Sequence, residues 1–340
     1  MSSTVHPTVA VLGGGSWGTA LAWILGGKGT AVRLWFRDPE QAEQAAATRR
    51  NARYLPDLPL PESVTPTADF DAATQGASLI VLAVPTGAVR QTLIQLQPHL
   101  TGPLPILLAA KGLERDTGDR LTEVARDVLG AAAARVAVLS GPNLAGEIVR
   151  GMPAATVIAG ADESSLQEMQ HAFSTPLFRV YTNADVAGVE LGGALKNPIA
   201  IAAGISDGLG FGNNTKAGLL TRGLAEITRL GVAAGARAST FSGLSGVGDL
   251  LTTAYSPLSR NYRVGLALGQ GDTLPHAQET LHQVAEGVPT TEAACRLAER
   301  LGVDAPIMQE LRKLLFEAAP VRESVTRLMS RPYRDEAGAE

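Results

Sequence analysis

Along the first half of the chain, short apolar runs recur at regular intervals: TVAVLG at 8–13, AVRLWF at 31–36, SLIVLAV at 78–84, PILLAA at 105–110, RVAVLSG at 135–141 and ATVIAG at 155–160. The runs are continuous rather than alternating, which predicts strands covered on both faces, as in a parallel sheet with crossover helices. Periodic segments between them, such as 119–129, supply the crossovers. After about Asn183 the runs stop. AGLLTRGLAEITRLGVAAG at 217–235 places Leu220, Leu224, Ile227 and Gly231 on one helical face, and later stretches behave alike. The change from alternating strand and helix to helix alone predicts an α/β chain with a mostly parallel sheet domain over 1–188, an all-α domain over 189–330 and a polar tail over 331–340.

The first run passes directly into GGGSWGTALAWIL, where Gly13, Gly15 and Gly18 satisfy GxGxxG between a predicted strand and a predicted helix. That is the Rossmann context: a tight turn, a close approach for a pyrophosphate, and close packing of helix on strand. The helix start then offers free amides to the phosphates. The second run ends at Arg37 and Asp38. An acidic residue there takes the ribose hydroxyls of NAD, whereas arginine accommodates the extra phosphate of NADP. Both stand side by side; Arg37 leans towards NADP, and the alternative is a solvated basic side chain at a strand end.

Composition narrows the field. A net charge of −4 argues against a nucleic-acid-binding protein, so an anionic ligand must be met by local positive charge. The single cysteine, Cys295, cannot form an internal disulfide, the start MSSTVHP lacks the regions of a signal peptide, and no apolar run is long enough to span a bilayer. The expectation is a cytoplasmic protein with no membrane span.

Charged residues in apolar settings mark the candidate chemistry. Lys111 ends the PILLAAK run at the sheet edge that faces the ligand crevice of a doubly wound fold, and Asn143 follows the next run in SGPN. A solvated lysine is the plain alternative for Lys111. In the helical half, Asp249 in GLSGVGDLL reads either as a helix cap or as a site residue. Ser259, Arg260 and Asn261 combine three good phosphate partners. Lys196 and Asn197 lie in VELGGALKNPIAIAAGI, where an unpartnered ammonium is costly. Pro198 predicts that a helix begins at Asn197 or kinks there, turning Lys196 towards a cleft.

These blocks together resemble the bacterial NAD(P)-dependent glycerol-3-phosphate dehydrogenase family over nearly the whole chain. GGGSWGTALA, NARYLPDLPLP, LAVPTGAVR, AAKGLE and SGPNLAGE are similar to its successive N-domain blocks. ELGGALKNPIAIAAGISDGLGFGNNTKAGLLTRGLAE, GLSGVGDLLTT, SPLSRNYRVG and AEGVPTT are similar to its C-domain blocks. The resemblance implies that Lys196 is the proton acceptor and that Lys111 touches both substrate and cofactor. It implies substrate contacts at Gly141, Asn143, Asn197, Asp249, Thr253, Ser259, Arg260 and Asn261. Cofactor contacts fall on Ser16, Trp17, Arg37, Lys111, Ala145, Arg260, Val284 and Glu286, beside the glycines. Asn143 departs from the hydroxyl residue common at its position, though an amide also donates and accepts.

The implied reaction is reversible reduction of dihydroxyacetone phosphate to sn-glycerol 3-phosphate with NADPH or NADH and no metal, feeding glycerophospholipid synthesis. A lysine serves as its acid and base if desolvation and a nearby cation, here Lys111, lower its pKa from about 10.4. Relatives often form homodimers, which the apolar helical half would allow. Two rival readings are a hydroxy-acid dehydrogenase of the same architecture and a non-catalytic dinucleotide sensor. The SRN block speaks against the first, and the convergence of Lys111, Lys196, Asp249 and Arg260 against the second.

Overall fold

The structure, a computed structural model, describes residues 8–100, 102–281, 284–332 and 335. MSSTVHP at 1–7, and residues 333, 334 and 336–340 of the expected tail, lie outside the described residues. Among the described residues ten strands occur: β1 (Thr8–Leu12), β2 (Ala31–Trp35), β3 (Arg50–Asn51), β4 (Leu55–Pro59), β5 (Val64–Thr67), β6 (Leu79–Leu82), β7 (Ile106–Leu108), β8 (Val136–Ser140), β9 (Ala154–Gly160) and β10 (Phe178–Asn183). Each of the six apolar runs forms one of them. Eight strands make one sheet in the order β10-β9-β8-β7-β6-β1-β2-β5, parallel throughout except at β8 and β9, while β3 and β4 form a separate antiparallel pair.

The burial of each strand follows its place in the sheet. All of β6 and β7, and all of β1 and β8 but their first residues, are buried, as continuous apolar runs require. β5 and β10 close the two edges, with Thr65 and Arg179 exposed between buried neighbours and Tyr181 and Thr182 exposed beyond Val180. Neither edge strand was expected, because one wet face breaks the apolar run that marks the inner strands.

β1 lies between β2 and β6, so the strand order reverses there and a crevice opens outside the carboxyl ends of the strands. After β10 the chain turns into the Val186–Gly208 helix, which is buried along almost its whole length. A helix apolar on every side belongs inside a bundle. It packs against the helices Asn213–Ala233, Asp249–Tyr255, Arg260–Gly269 and Gly287–Leu301. Its crossing with Arg260–Gly269 is close: a Cβ on Gly265 would lie 1.9 Å from the Ile201 carbonyl oxygen, and one on Gly204 2.1 Å from that of Tyr262. Side chains at either place would push the two helices apart. The division expected at 188/189 falls in the first turn of the Val186–Gly208 helix. Among the described residues no helix is long and apolar enough to cross a membrane.

Candidate active site

The glycine-rich turn connects β1 to the Ser16–Gly27 helix and is shaped by its neighbours. Gly13 has φ +125°, and a Cβ there would lie 2.7 Å from the Ala83 backbone. A Cβ on Gly18 would come within 1.9 Å of the Gly13 carbonyl oxygen, so only glycine lets helix and strand approach this closely. Gly15 is the N-cap, and a Cβ there would meet nothing within 4 Å. Its open side lies beside the amides of the first helical turn, where a pyrophosphate needs approach. Asn51 ties the loop down, its amide donating to the Gly14 carbonyl at 2.8 Å and lying 2.8 Å from the Thr19 hydroxyl.

Beyond β2, the two candidate ribose residues part company. The Asp38 carboxylate caps the Pro39–Thr48 helix, accepting from Glu40 N at 3.0 Å and from Gln41 Nε2 at 2.8 Å. Arg37 is exposed and makes no hydrogen bond or ion pair among the described residues. Val284 is also exposed, at 48%.

Where β7 and β8 end, the sheet meets the helical half. Lys111 Nζ donates to the Gly141 carbonyl at 2.7 Å and to Asp249 Oδ2 at 2.8 Å. Lys196 Nζ donates to Asp249 Oδ1 at 2.9 Å and to Thr253 Oγ1 at 2.5 Å. One carboxylate therefore holds two ammonium groups, and this is what keeps a lysine in VELGGALKNPIAIAAGI. Burial lowers the Lys196 pKa to about 8; Lys111 and Arg260 push the same way, and Asp249 opposes them. Burial alone would raise the Asp249 carboxyl, but the two lysines outweigh it and hold it below its ordinary value.

The approach of these groups rests on small residues. A Cβ on Gly193 would lie 2.3 Å from Ser140 Oγ, and one on Gly192 2.8 Å from the Ser245 carbonyl oxygen. Of the two outcomes expected at Pro198, the helix start does not occur: the Val186–Gly208 helix runs through Pro198. An internal proline costs about 3 kcal/mol, an amount that burial of the surrounding apolar residues outweighs. Asn197 likewise is not a cap. Its amide donates to the Lys111 carbonyl at 3.1 Å, and its Oδ1 accepts from Asn261 Nδ2 at 2.8 Å. Asn261 Oδ1 in turn accepts from Gly287 N at 2.8 Å. Nor does Asp249 cap its helix; Gly248 does, and Asp249 is its first residue.

Ser259 caps the Arg260–Gly269 helix by accepting from Tyr262 N at 3.2 Å. Burial draws Arg260 below its ordinary pKa, opposed by nearby Glu286 and Tyr54. Glu286 is raised by burial, against the pull of Thr86, whose backbone N donates to Oε1 at 3.0 Å, and of Arg260. Asn143 Oδ1 accepts from Thr156 Oγ1 at 3.0 Å. Among the described residues, Asn143 Nδ2, Ser140 Oγ and Trp17 Nε1 are buried without a hydrogen-bond partner. Ser140 ends β8 and Asn143 follows it, and orphaned polar groups at that sheet edge fit a polar ligand. Ala145 opens the short Ala145–Ile148 helix beside them.

Several residues of this neighbourhood carried no sequence signal of their own. Asn51 ends the two-residue strand β3, Tyr54 lies in the turn after it and Thr86 opens a 3-10 turn, and their contacts join segments far apart in the chain; Thr86 and Glu286 are 200 positions apart. No cluster of three or more metal-ligating side chains occurs among the described residues.

Two family profiles match the chain: the N-terminus of NAD-dependent glycerol-3-phosphate dehydrogenase over residues 8–166, and its C-terminus over 185–326. A glycerol-3-phosphate dehydrogenase (NAD(P)+) of Nitratidesulfovibrio vulgaris is 50% identical over 328 residues, covering 96% of this chain and 99% of that protein. One from Moorella thermoacetica is 49% identical over 329 residues, 97% of each chain. The crystal structure of glycerol-3-phosphate dehydrogenase from Coxiella burnetii superposes with a TM-score of 0.92 at 37% identity, covering 96% of this chain and 99% of that one.

Proposed function

The chain belongs to the NAD-dependent glycerol-3-phosphate dehydrogenase family and is an NAD(P)-dependent oxidoreductase of that activity, and on this premise we propose how its residues divide the reaction. The observation that carries the proposal is the convergence of Lys111 and Lys196 on Asp249, at the carboxyl edge of the same sheet that bears the glycine-rich turn.

The reduced nicotinamide, when bound, supplies hydride to C2 of dihydroxyacetone phosphate. Lys196 gives its proton to the developing C2 oxygen and takes it back in the reverse direction; a pKa of about 8 leaves both forms accessible near neutrality. Lys111 stabilises negative charge on the same oxygen. Asp249 holds both ammonium groups and keeps them from spreading apart. Arg260, Ser259 and Asn261, with the first amides of the Arg260–Gly269 helix, bind the phosphate. Three cations, Lys111, Lys196 and Arg260, face two carboxylates, Asp249 and Glu286, which leaves the pocket suited to an anion. Gly141, Asn143, Asn197 and Thr253 complete the substrate side.

Gly13, Gly15, Ser16, Trp17, Gly18, Lys111, Ala145, Val284 and Glu286 face the dinucleotide. Arg37 meets the ribose, and because Asp38 is occupied as a helix cap, the preferred cofactor is NADPH. Residues 1–188 form the dinucleotide half and 189–330 the substrate half. The product supplies glycerophospholipid synthesis, and the protein acts in the cytoplasm. Two copies pair through the helical half, where Leu251, Tyr255 and Leu258 offer exposed apolar surface; sedimentation showing only monomer would remove that point.

The deciding test is the loss of NADPH absorbance when dihydroxyacetone phosphate is added, repeated with NADH and with a 2-keto acid. Prompt loss with the phosphate ester alone is expected. Consumption with the keto acid instead would favour a hydroxy-acid dehydrogenase, and binding without consumption a dinucleotide sensor.

A further inference from the structure

Outside the proton-transfer centre lies a second buried lysine. Lys216 sits in GNNTKAG at the start of the Asn213–Ala233 helix, where Asn213, Asn214, Thr215 and Ala217 are exposed and Lys216 alone is buried, at 5%. Its Nζ donates to Asp207 Oδ2 at 2.7 Å, near the end of the Val186–Gly208 helix. The Tyr262 hydroxyl donates to the same oxygen at 2.8 Å. The ammonium also stands over two rings, 4.1 Å from the centroid of Tyr255 and 5.0 Å from that of Tyr262. A cation over an aromatic face is attracted by the ring's negative centre. Burial and Asp207 push the Tyr262 phenol up to about 12, so its hydroxyl remains a donor.

One cation thus ties its own helix to three others, and the placement of its two rings gives the contact its meaning. Tyr255 ends the helix that carries Asp249 and Thr253. Tyr262 lies in the first turn of the helix that opens with Arg260 and Asn261. A buried ion pair is a weak source of stability, since apolar residues of similar volume often serve as well. What the charge adds is direction: it holds one carboxylate oxygen and two ring faces at fixed distances. We infer that Lys216 is a positioning residue, which with Asp207 and Tyr262 sets the phosphate-binding turn at Arg260 and Asn261 against the helix carrying Asp249 and Thr253. The inference rests on the reading of Arg260 and Asn261 as the phosphate site.

The test compares the full-length protein with Lys216→Met and Tyr262→Phe in steady-state kinetics, with inorganic phosphate as a competing anion. Lys216→Met keeps an unbranched stem and removes the charge. It is expected to raise both KM for dihydroxyacetone phosphate and the inhibition constant of phosphate about tenfold, with KM for NADPH within about twofold. Tyr262→Phe keeps both rings and removes one bond to Asp207, so the same two constants rise by about threefold. Unchanged substrate KM in both variants overturns the inference, as does a parallel rise in KM for NADPH, which marks general loosening. Should Lys216→Met fail to fold, Tyr262→Phe decides alone by the same criteria. If the unaltered protein consumes no NADPH with dihydroxyacetone phosphate, the functional reading has failed and the inference falls with it.

Discussion

The glycine-rich turn and the lysine–aspartate centre lie along the same sheet edge, yet they are built from opposite materials. The turn is made by absence: Gly13 and Gly18 bring backbone to within a distance that no side chain tolerates, and what it offers is the amides of a helix start. The centre is made by side chains that reach across the fold; Lys196 is 53 positions from Asp249, and Lys111 is 138. The turn should therefore fail when an atom is added, and the centre when one is removed. The two failures should also be of different kinds.

The largest expected effect is in the centre. Lys196→Ala removes the proton carrier while Asp249 keeps its bond to Lys111, so the protein should fold and bind NADPH but lose turnover by about 100- to 10,000-fold. Single-turnover kinetics alongside cofactor titration would check this. Turnover at the level of the unaltered protein would show that the proton travels by another group.

Gly18→Ala asks the reverse question. Its Cβ would fall 1.9 Å from the Gly13 carbonyl oxygen, so the turn must open. Overpacking of this sort costs about 1–3 kcal/mol, and a misplaced turn loses the cofactor. A lowered melting temperature and weaker NADPH binding, read from the fluorescence of Trp17 and its neighbours, are expected. If both stayed at their original values, the contrast between a backbone-built and a side-chain-built region would be lost.

The contrast also explains what could be read beforehand. The turn is local: strand, three glycines and helix follow one another, and their spacing carries the geometry. The six inner strands were visible for a similar reason, whereas β5 and β10, half wet at the sheet edges, were not. In the centre, Lys196 was visible as an anomaly of burial, but its partner was not. Asp249 read equally well as a helix cap, because nothing within its own segment says that two lysines from distant elements will meet it. Pro198 misled for a related reason. Local propensity allows a helix start at Asn197, and tertiary burial of the Val186–Gly208 helix overrode that start. Lys216 lay in a polar stretch that looks solvated, and only the fold shows that it faces inward.

A milder probe of the centre is pH. The Lys196 pKa is lowered to about 8, mainly by burial. Reduction needs the ammonium, so its kcat/KM should hold below about 8 and fall by about tenfold per unit above it. Oxidation needs the free amine, so its kcat/KM should rise on approaching the same point and then level. Opposed limbs crossing near about 8 are expected when both directions are assayed. Profiles that moved together, or a midpoint near the ordinary lysine value, would mean that Lys196 is not the group being titrated.

The smallest effect belongs to the edge of the turn, where a side chain supplements the backbone. Asp38 spends both oxygens on the Pro39–Thr48 helix and its Gln41 side chain, while Arg37 is exposed. An exposed guanidinium acts through screened attraction, which limits its contribution to roughly one charge-assisted bond. Arg37→Ala should thus raise KM for NADPH by about five- to tenfold and leave KM for NADH nearly unchanged. The NADPH effect should shrink as salt is added, because the Debye length falls with ionic strength. Equal shifts for the two cofactors would place the ribose phosphate elsewhere, and would make this corner of the turn depend on backbone alone, like the rest of it.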